Sequence, residues 1–241
     1  MAGSKKKSVR VGEFRKVKVK ELEEKAYPNL EHIGRNSNLL IYAESLVVEG
    51  DLDLDAEDVG YAGIAVEGDL TVKGNIVNSN SDSGLYLYVK GKTTANNLIA
   101  GGAPILLNTA YIKYFTVGHY NGGYIFIEKL TTEVMLNFDH HTAIEDKSDI
   151  NISINTDMVP KGKIAIHEHD LAGFWAEHQI LPDMIRYYEE EDGNHDDSYH
   201  CLNDEKIISH ILSGQERQLL EYIKKYIKEG KLRKDDLDLP E

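Results

Sequence analysis

The sequence predicts a mainly β fold, a single-stranded β-helix (solenoid) of about five to six coils with a C-terminal α-helical cap. Three observations carry this prediction: a short segment repeats along the chain, apolar and polar residues alternate within it, and Gly, Asn or Asp separate the alternating runs. The predicted domains are an N-terminal basic arm and cap over residues 1–38, the β-solenoid over 39–165 and an α-helical C-terminal cap region over 166–241.

The N-terminal arm is the basic part of the chain. Residues 1–25 contain nine Lys or Arg and four Glu. Residues 5–20 are typical of a solvated tail, with a small electrostatic contact as the alternative. The stretch from Phe14 to Leu30 is expected to form a strand and turn, or a short helix, that covers the first coil. Such a cover is needed because a terminal coil otherwise exposes unpaired backbone groups.

The repeat lies between about Leu39 and Pro160. The segment LVVEGDL at 46–52 recurs as IAVEGDL at 64–70 and again, in a looser copy, as LYVKGKT at 87–93. The segment TTANNL at 93–98 returns as TTEVML at 131–136, at about twice the spacing of the first two copies. A period of roughly 20 residues suits one solenoid coil built from two or three short strands.

Strict alternation predicts strands within each coil. It occurs at Leu52–Leu54, Leu70–Val72, Ile125–Ile127 and Ile150–Ile154. Glycines are expected at the corners, where the backbone needs a positive φ or a close approach. These glycines are Gly50, Gly68, Gly91, Gly101, Gly102, Gly122 and Gly123. An antiparallel meander or jelly roll is the competing fold, and it would need longer strands and two-residue hairpins.

Helical spacing replaces the alternation from about Leu171. Asn203 or Asp204 is predicted to begin a short helix, and the stretch 213–216 reads as a capping box for a final helix that Gly230 ends. Between them, residues 189–205 contain eight acidic residues and no Lys or Arg, which predicts an exposed loop.

Charge and composition exclude several functions. The formal net charge is −14. Because residues 1–25 are basic overall, the rest of the chain is more acidic still, and its negative charge would repel phosphate groups. Nucleic-acid binding is therefore not expected. No apolar run is long enough to span a bilayer, and no apolar stretch follows the basic N-terminus, so neither a membrane span nor a secretory signal is expected. The predicted location is cytoplasmic, where the single Cys201 has no disulfide partner.

Two pairs of histidines are candidate metal ligands. In an extended segment His167 and His169 would share a face, as in some metal sites, whereas the adjacent His140 and His141, which follow Asp139, would point in opposite directions. Without a third ligand at a fixed spacing, we predict no metal and no cofactor.

A catalytic role is not expected either. Cys201 lies among acidic residues, which raise a thiol pKa. Asp51 and Asp69 could serve as a pair of glycosidase carboxylates, but a Gly-Asp pair is also an ordinary turn. We therefore predict that the protein is not an enzyme and keep a carbohydrate-active β-helix enzyme as an alternative.

Several segments together resemble bacterial polymer-forming-cytoskeletal-like (bactofilin-related) β-solenoid proteins with a helical C-terminal region. They are the stretches at 66–74, 97–103, 117–123 and 137–141, and the likeness covers roughly residues 40–160 plus the final helix. The resemblance implies one of two functions, an immunity protein that accompanies a secreted toxin or a self-assembling scaffold. The longer aromatic coils and the bulky helical end depart from the bactofilin pattern, and the helical end is expected to block end-to-end stacking.

The resulting prediction is a protein-binding module, an immunity protein that occludes a basic toxin domain. An acidic patch that also carries tyrosines suits a basic partner, since Tyr is favoured where a side chain is half buried and half wet. A bactofilin-like scaffold is the first alternative, and a homo-oligomer is allowed. The predicted partner-binding residues are Tyr187, Tyr188, Glu189, Glu190, Glu191, Asp192, Asp196 and Asp197, with Tyr114 and Tyr120 behind them.

Overall fold

The computed structural model shows a mainly β fold (47% strand) that is wound into a solenoid of about five turns and followed by helices. The predicted fold class is confirmed. The structure describes residues 9–22, 26–28, 30, 33–55, 59–119, 122–138, 140–145, 148–154, 162–189 and 198–229, with backbone alone at 9–11, 188–189 and 198–199. No helix within these ranges is long and apolar enough to cross a bilayer.

Two N-terminal strands cover the edge of the first coil. Strands β1 (Val9–Val11) and β2 (Arg15–Lys18) run antiparallel to the second and first strands of that coil. Beyond them, Tyr27 and Leu30 are buried against the outer side of the solenoid, where Tyr86 donates a hydrogen bond from its hydroxyl to the carbonyl of Pro28 at 2.9 Å. Because β2 pairs with β3 and β1 pairs with β4, the outer backbone edges of these two first-coil strands are not left unpaired.

The first two coils contain three short strands each. These strands are β3 (Asn38–Tyr42), β4 (Leu46–Glu49), β5 (Leu52–Asp53), β6 (Gly63–Val66), β7 (Leu70–Val72) and β8 (Ile76–Val77). Every strand of the first coil pairs in parallel with its counterpart in the second.

The later coils are built from longer strands that bend around the corners. They comprise β9 (Tyr86–Ala95), β10 (Leu98–Ala100), β11 (Pro104–His119), β12 (Tyr124–Phe138), β13 (His141–Ile144), β14 (Asp149–Ile154) and β15 (Ile164–Ile166). All pairings among them are parallel. Together with the strands of the first two coils, they stack into three faces.

We name the faces in chain order. The first face stacks β3, β6, the first part of β9, β11 and β12, and then β13. The second face stacks β4, β7, the end of β9, the middle of β11 and β12, and the start of β14. The third face stacks β5, β8, β10, the last parts of β11, β12 and β14, and β15.

Inward side chains form columns along the solenoid axis. One column on the first face contains Leu40, Ile64, Leu87, Ile105 and Ile125, each at most 6% exposed. Burial of one such side chain contributes roughly 1.5–3 kcal/mol, so the stacked columns hold the coils together.

The coil spacing differs from the prediction in one respect. Ile64 pairs with Leu87, as the repeat indicates. Leu46, however, pairs with Leu70 and not with Ile64. The first two copies of the repeat therefore belong to different faces: the first copy begins on the second face of one coil, and the second copy begins on the first face of the next coil. An apolar strand followed by a turn occurs at every corner, so faces resemble one another as strongly as coils do.

Corner carboxylates serve the backbone of the neighbouring coil. Asp51 accepts a hydrogen bond from the backbone N–H of Asn75 at 2.7 Å, and Asp69 accepts one from the N–H of Lys92 at 2.8 Å. Both aspartates therefore have the structural role of turn residues that satisfy backbone donors at the corners.

The C-terminal region forms a lateral layer. It contains α1 (Glu168–Glu177), the strands β16 (Ile185–Glu189) and β17 (Ser198–Leu202), α2 (Asp204–His210) and α3 (Glu216–Lys228). Its buried residues, including Trp175 and Leu219, pack with Val117, Leu136 and Ile154 on the outer side of the third face. The predicted helices are present, but they flank the solenoid because this face is apolar on its outside as well as its inside.

Two local predictions in this region are corrected. The predicted loop over 189–205 contains β17, and α2 begins where expected, with the Asn203 side chain accepting from the Lys206 N–H at 3.2 Å. The predicted capping box is wrong: Ser213 donates its hydroxyl to the His210 carbonyl at 2.7 Å, and Gly214 turns the chain into α3 with a φ of 83°. The predicted end at Gly230 lies outside the described residues.

Candidate functional site

An antiparallel hairpin, β16–β17, contains the start of the predicted partner-binding segment. Tyr187 pairs with His200, and Glu189 pairs with Ser198 where the acidic segment begins. Tyr187 is 56% exposed, and its ring meets the His200 ring edge-on with centroids 5.3 Å apart. The remaining acidic residues of the prediction lie outside the described residues: Glu190, Glu191, Asp192, Asp196 and Asp197. For Tyr188 and Glu189 only the backbone is described.

The base of this hairpin is fixed to the helical layer. Arg186 donates to the side-chain oxygen of Asn203 at 3.1 Å and lies 3.4 Å from a carboxylate oxygen of Asp204. The ring Nδ1 of His169 is 3.1 Å from the carbonyl oxygen of His200. These contacts join both strands to α1 and α2, so the base of the hairpin is held against the helical layer.

Tyr114 contacts the helical layer. Arg217 donates from Nε to the Tyr114 hydroxyl at 3.0 Å, and the Lys113 ammonium lies 4.9 Å from the ring centroid. The hydrogen bond with Lys113 and the nearby Arg217 lower the pKa of Tyr114 against the opposing effect of burial. Tyr114 therefore links the fourth coil to α3. Tyr120, the other aromatic residue of the prediction, lies outside the described residues.

The histidines considered as metal ligands are placed apart. α1 begins at Glu168, so His167 precedes the helix while His169 lies on it, and the extended geometry that would align them is absent. His141 is exposed on β13, whereas His140 is buried, and Asp139 lies outside the described residues. Within the described ranges, no three His, Cys, Asp or Glu side chains group closely enough to hold a metal ion.

Cys201 is buried in β17, not exposed in a loop. Burial raises the pKa of its thiol most strongly, and the negative charge of Glu168 raises it further. The thiol is therefore protonated near neutral pH, which is unfavourable for a nucleophile.

A buried polar cluster lies at the corner between the third face and the next coil, and sequence reasoning missed it. Asn78 is fully buried, and its side-chain oxygen accepts from the N–H groups of Gly101 at 3.2 Å and Ala103 at 2.6 Å. His119 Nε2 lies 3.4 Å from the Asn78 carbonyl, and His140 Nε2 lies 3.0 Å from the Gly101 carbonyl. The histidines come from different coils, so only the coil register could have revealed the cluster.

Comparisons with known proteins give no relative for this chain. A scan against protein-family models finds no match, and searches of curated proteins and of solved structures find none either. The structure itself shows the β-solenoid, and no family model or relative supports the resemblance to bactofilin-related proteins.

The buried histidines predict acid-sensitive stability. Burial lowers the pKa of both His119 and His140 in the folded protein, against weaker opposing effects from backbone hydrogen bonds. Their unfolded pKa is about 6.5. Because the unfolded chain binds protons more readily, stability is complete above that pH and is lost as the pH falls toward the lower folded values. We expect the melting temperature to fall progressively between about pH 7 and pH 5, above the range in which carboxylates titrate.

Two variants separate this effect from general acid unfolding. His140→Gln keeps a hydrogen-bonding side chain and is expected to reduce the pH dependence of the melting temperature. The matched control is His141→Gln, whose imidazole is exposed and whose removal should leave the dependence unchanged. Equal pH profiles for wild type and His140→Gln would contradict this assignment.

Proposed function

We propose that this protein is a non-enzymatic binding module that uses its acidic hairpin to engage a basic surface of a partner protein. The partner class is a bacterial toxin domain, and the module acts as its immunity protein by occlusion. One observation carries the proposal. The β16–β17 hairpin presents exposed Tyr187 and joins its strands through residues 189–197, of which six are acidic and none is Lys or Arg.

Charge and support both suit such a role. A dense acidic segment on a chain of net charge −14 attracts a basic partner over long range and speeds association. The exposed Tyr187 ring is the kind of rigid, amphipathic anchor that protein interfaces favour. Since the contact between Arg186 and Asn203 already fixes the hairpin base, ordering this base on binding costs little conformational entropy.

Charge reversal in the acidic segment tests the proposal. The tagged full chain captures proteins from a lysate of the source cell at low salt, and the captured basic protein is then isolated and titrated. The double variant Glu190→Lys, Asp192→Lys is expected to weaken its binding about tenfold or more and to reduce the salt dependence, because steering by the acidic segment is lost.

A control variant carries the same change in net charge elsewhere. Glu44→Lys, Glu49→Lys alters two exposed residues of the first coil and should bind nearly as the wild type does. Equal losses in both double variants would show that only total charge matters, and a captured partner insensitive to the hairpin variant would refute the proposed site.

A self-assembling scaffold is the second candidate function, and one feature favours it. Within the described residues β13 pairs only with β12, so the first face ends in an unpaired strand edge that could bind another chain. The helical layer flanks the third face, so it does not by itself cover this edge. Light scattering that grows with concentration in the pure protein would support the scaffold over the immunity module.

The carbohydrate-active enzyme is not favoured by the carboxylates first considered for it. Asp51 and Asp69 lie at corners, where each accepts a backbone N–H of the next coil. A glycosidase needs one such group to hold and release a proton at the scissile bond. Carboxylates engaged as turn acceptors are poorly suited to that exchange.

A further inference from the structure

The outer side of the second face forms an open groove. It encloses about 540 Å³ and crosses several coils, from Thr71 on β7 to Asn151 on β14. Among the described segments, the helices pack on the third face, and Tyr27 and Leu30 pack on the first. The second face is thus an accessible flank of the solenoid.

One register column runs through the floor of this groove. Thr71 pairs with Thr94, Thr94 with Tyr111, Tyr111 with Thr131, and Thr131 with Asp149. Because these side chains alternate with buried ones, they project outward at the spacing of adjacent strands, about 4.8 Å. Hydroxyl groups therefore recur along the groove at nearly the length of one sugar residue in an extended polysaccharide.

Tyr111 is the aromatic centre of the column. Its side chain is 42% exposed, whereas Phe115 of the same strand is fully buried beneath the helices and Tyr86 is 1% exposed. The Lys92 ammonium lies 5.6 Å from the Tyr111 ring centroid. The ring thus presents an exposed apolar surface with a cation over one of its faces.

The groove is basic on an acidic protein. Lys73 and Lys113 line it and Lys92 borders it, and none of the three forms a salt bridge with another described residue. Its two carboxylates are each neutralised by a lysine from outside: Glu133 by Lys224 and Asp149 by Lys163, both at 2.8 Å. Lys73 therefore remains available to an anion, while Lys92 and Lys113 keep their positive charge and contact the rings of Tyr111 and Tyr114.

We propose that this groove binds an acidic polysaccharide lying along the stacked coils. A sugar ring would stack on Tyr111, carboxylates of the polymer would bind Lys73 and Lys113, and its hydroxyls would bond to the threonine column and to the side-chain oxygen of Asn96. Hydroxyl and amide groups outnumber aromatic ones in this groove, whereas single-stranded nucleic acids are bound largely by stacking of their bases on several aromatic side chains. The groove is separate from the acidic hairpin, so this inference stands independently of the proposed function.

Affinity electrophoresis of the full chain tests the proposal. Gels contain polygalacturonate, alginate, hyaluronate, neutral dextran or single-stranded poly-dT. We expect retardation by at least one carboxylated polysaccharide, reduced by added salt, and none by dextran. Tyr111→Ala should weaken the binding about tenfold, the usual consequence of removing an aromatic anchor, and Lys73→Ala, Lys113→Ala should weaken it similarly.

Matched controls keep the result interpretable. Lys206→Ala, Lys228→Ala removes two exposed lysines of the helical layer, and Tyr187→Ala removes the exposed aromatic of the hairpin. Both should bind the polysaccharide as the wild type does, and melting curves verify that each variant is folded. Failure of every acidic polysaccharide to bind, equal binding by Tyr111→Ala, or tighter binding of poly-dT would overturn the proposal.

Discussion

Asn78→Ala is expected to lower the free energy of unfolding by roughly 3–6 kcal/mol, because each buried partner left without a hydrogen bond costs about 1–3 kcal/mol. The Asn78 amide accepts from two buried backbone N–H groups and donates to the carboxylate of Asp55 at 2.6 Å and to the carbonyl of Ser83 at 2.9 Å. At 0% exposure no water replaces these contacts in the intact fold. Urea unfolding followed by circular dichroism measures the loss.

The neighbouring Asp55 makes a second variant informative. Burial acts to raise the pKa of Asp55, but hydrogen bonds from Ser79, Asn80 and Asn78 outweigh it and hold that pKa below its usual value. Asn78→Asp would place a second carboxylate against this group. Its destabilisation should therefore be largest at neutral pH and smaller in mild acid, where one carboxylate takes up a proton.

Asn108→Ala is the matched control for Asn78→Ala. The Asn108 amide also donates to a backbone carbonyl of the preceding coil, that of Lys90 at 3.0 Å, but it is exposed to solvent. We expect a loss within about 0.5 kcal/mol, because water can replace the contact. Similar losses for both asparagines would show that burial of the amide is not what makes Asn78 important.

The sequence predicts the interior of the solenoid better than its outside. Alternation places Leu52, Leu70, Ile125 and Ile150 in strands because each must face the core. The outer side of the third face is apolar as well, at Val117 and at other positions, and no periodicity distinguishes a strand buried on both sides from one buried on a single side. The lateral position of the helices therefore could not be read from the pattern.

Register limits what the sequence could say about sites. The predicted repeat matched Thr93 to Thr131, whereas the coils pair Thr94 with Thr131 through Tyr111. A slip of one position exchanges inward and outward side chains, so the outward column at Tyr111 was hidden. The acidic residues at 189–197 were easier to recognise, because their charge is contiguous in sequence and needs no register, but the pairing of β16 with β17 was not predicted.

Gly68→Ala is the second substitution with a large expected effect, a loss of about 3 kcal/mol from overpacking. A Cβ at Gly68 would lie 2.6 Å from the backbone nitrogen of Ser45 and 2.9 Å from its hydroxyl oxygen. That hydroxyl accepts the N–H of Asp69 at 3.1 Å, and the Gly68 carbonyl accepts the N–H of Gly91 at 3.1 Å. Relieving the clash must therefore separate three successive coils at this corner.

Gly50, a predicted corner glycine, and Gly173, a helical one, are the comparisons for Gly68, because neither has an atom near its Cβ position. Gly50 has a φ of 98° and open space around its Cβ position, so Gly50→Ala should cost only about 1–2 kcal/mol of left-handed backbone strain. Gly173 lies within α1 with nothing near its Cβ position, so Gly173→Ala should instead stabilise the protein by up to about 1 kcal/mol. Urea unfolding should thus rank Gly173→Ala above wild type, then Gly50→Ala, then Gly68→Ala. If Gly68→Ala proved no worse than Gly50→Ala, close coil contact would not be the constraint at this corner.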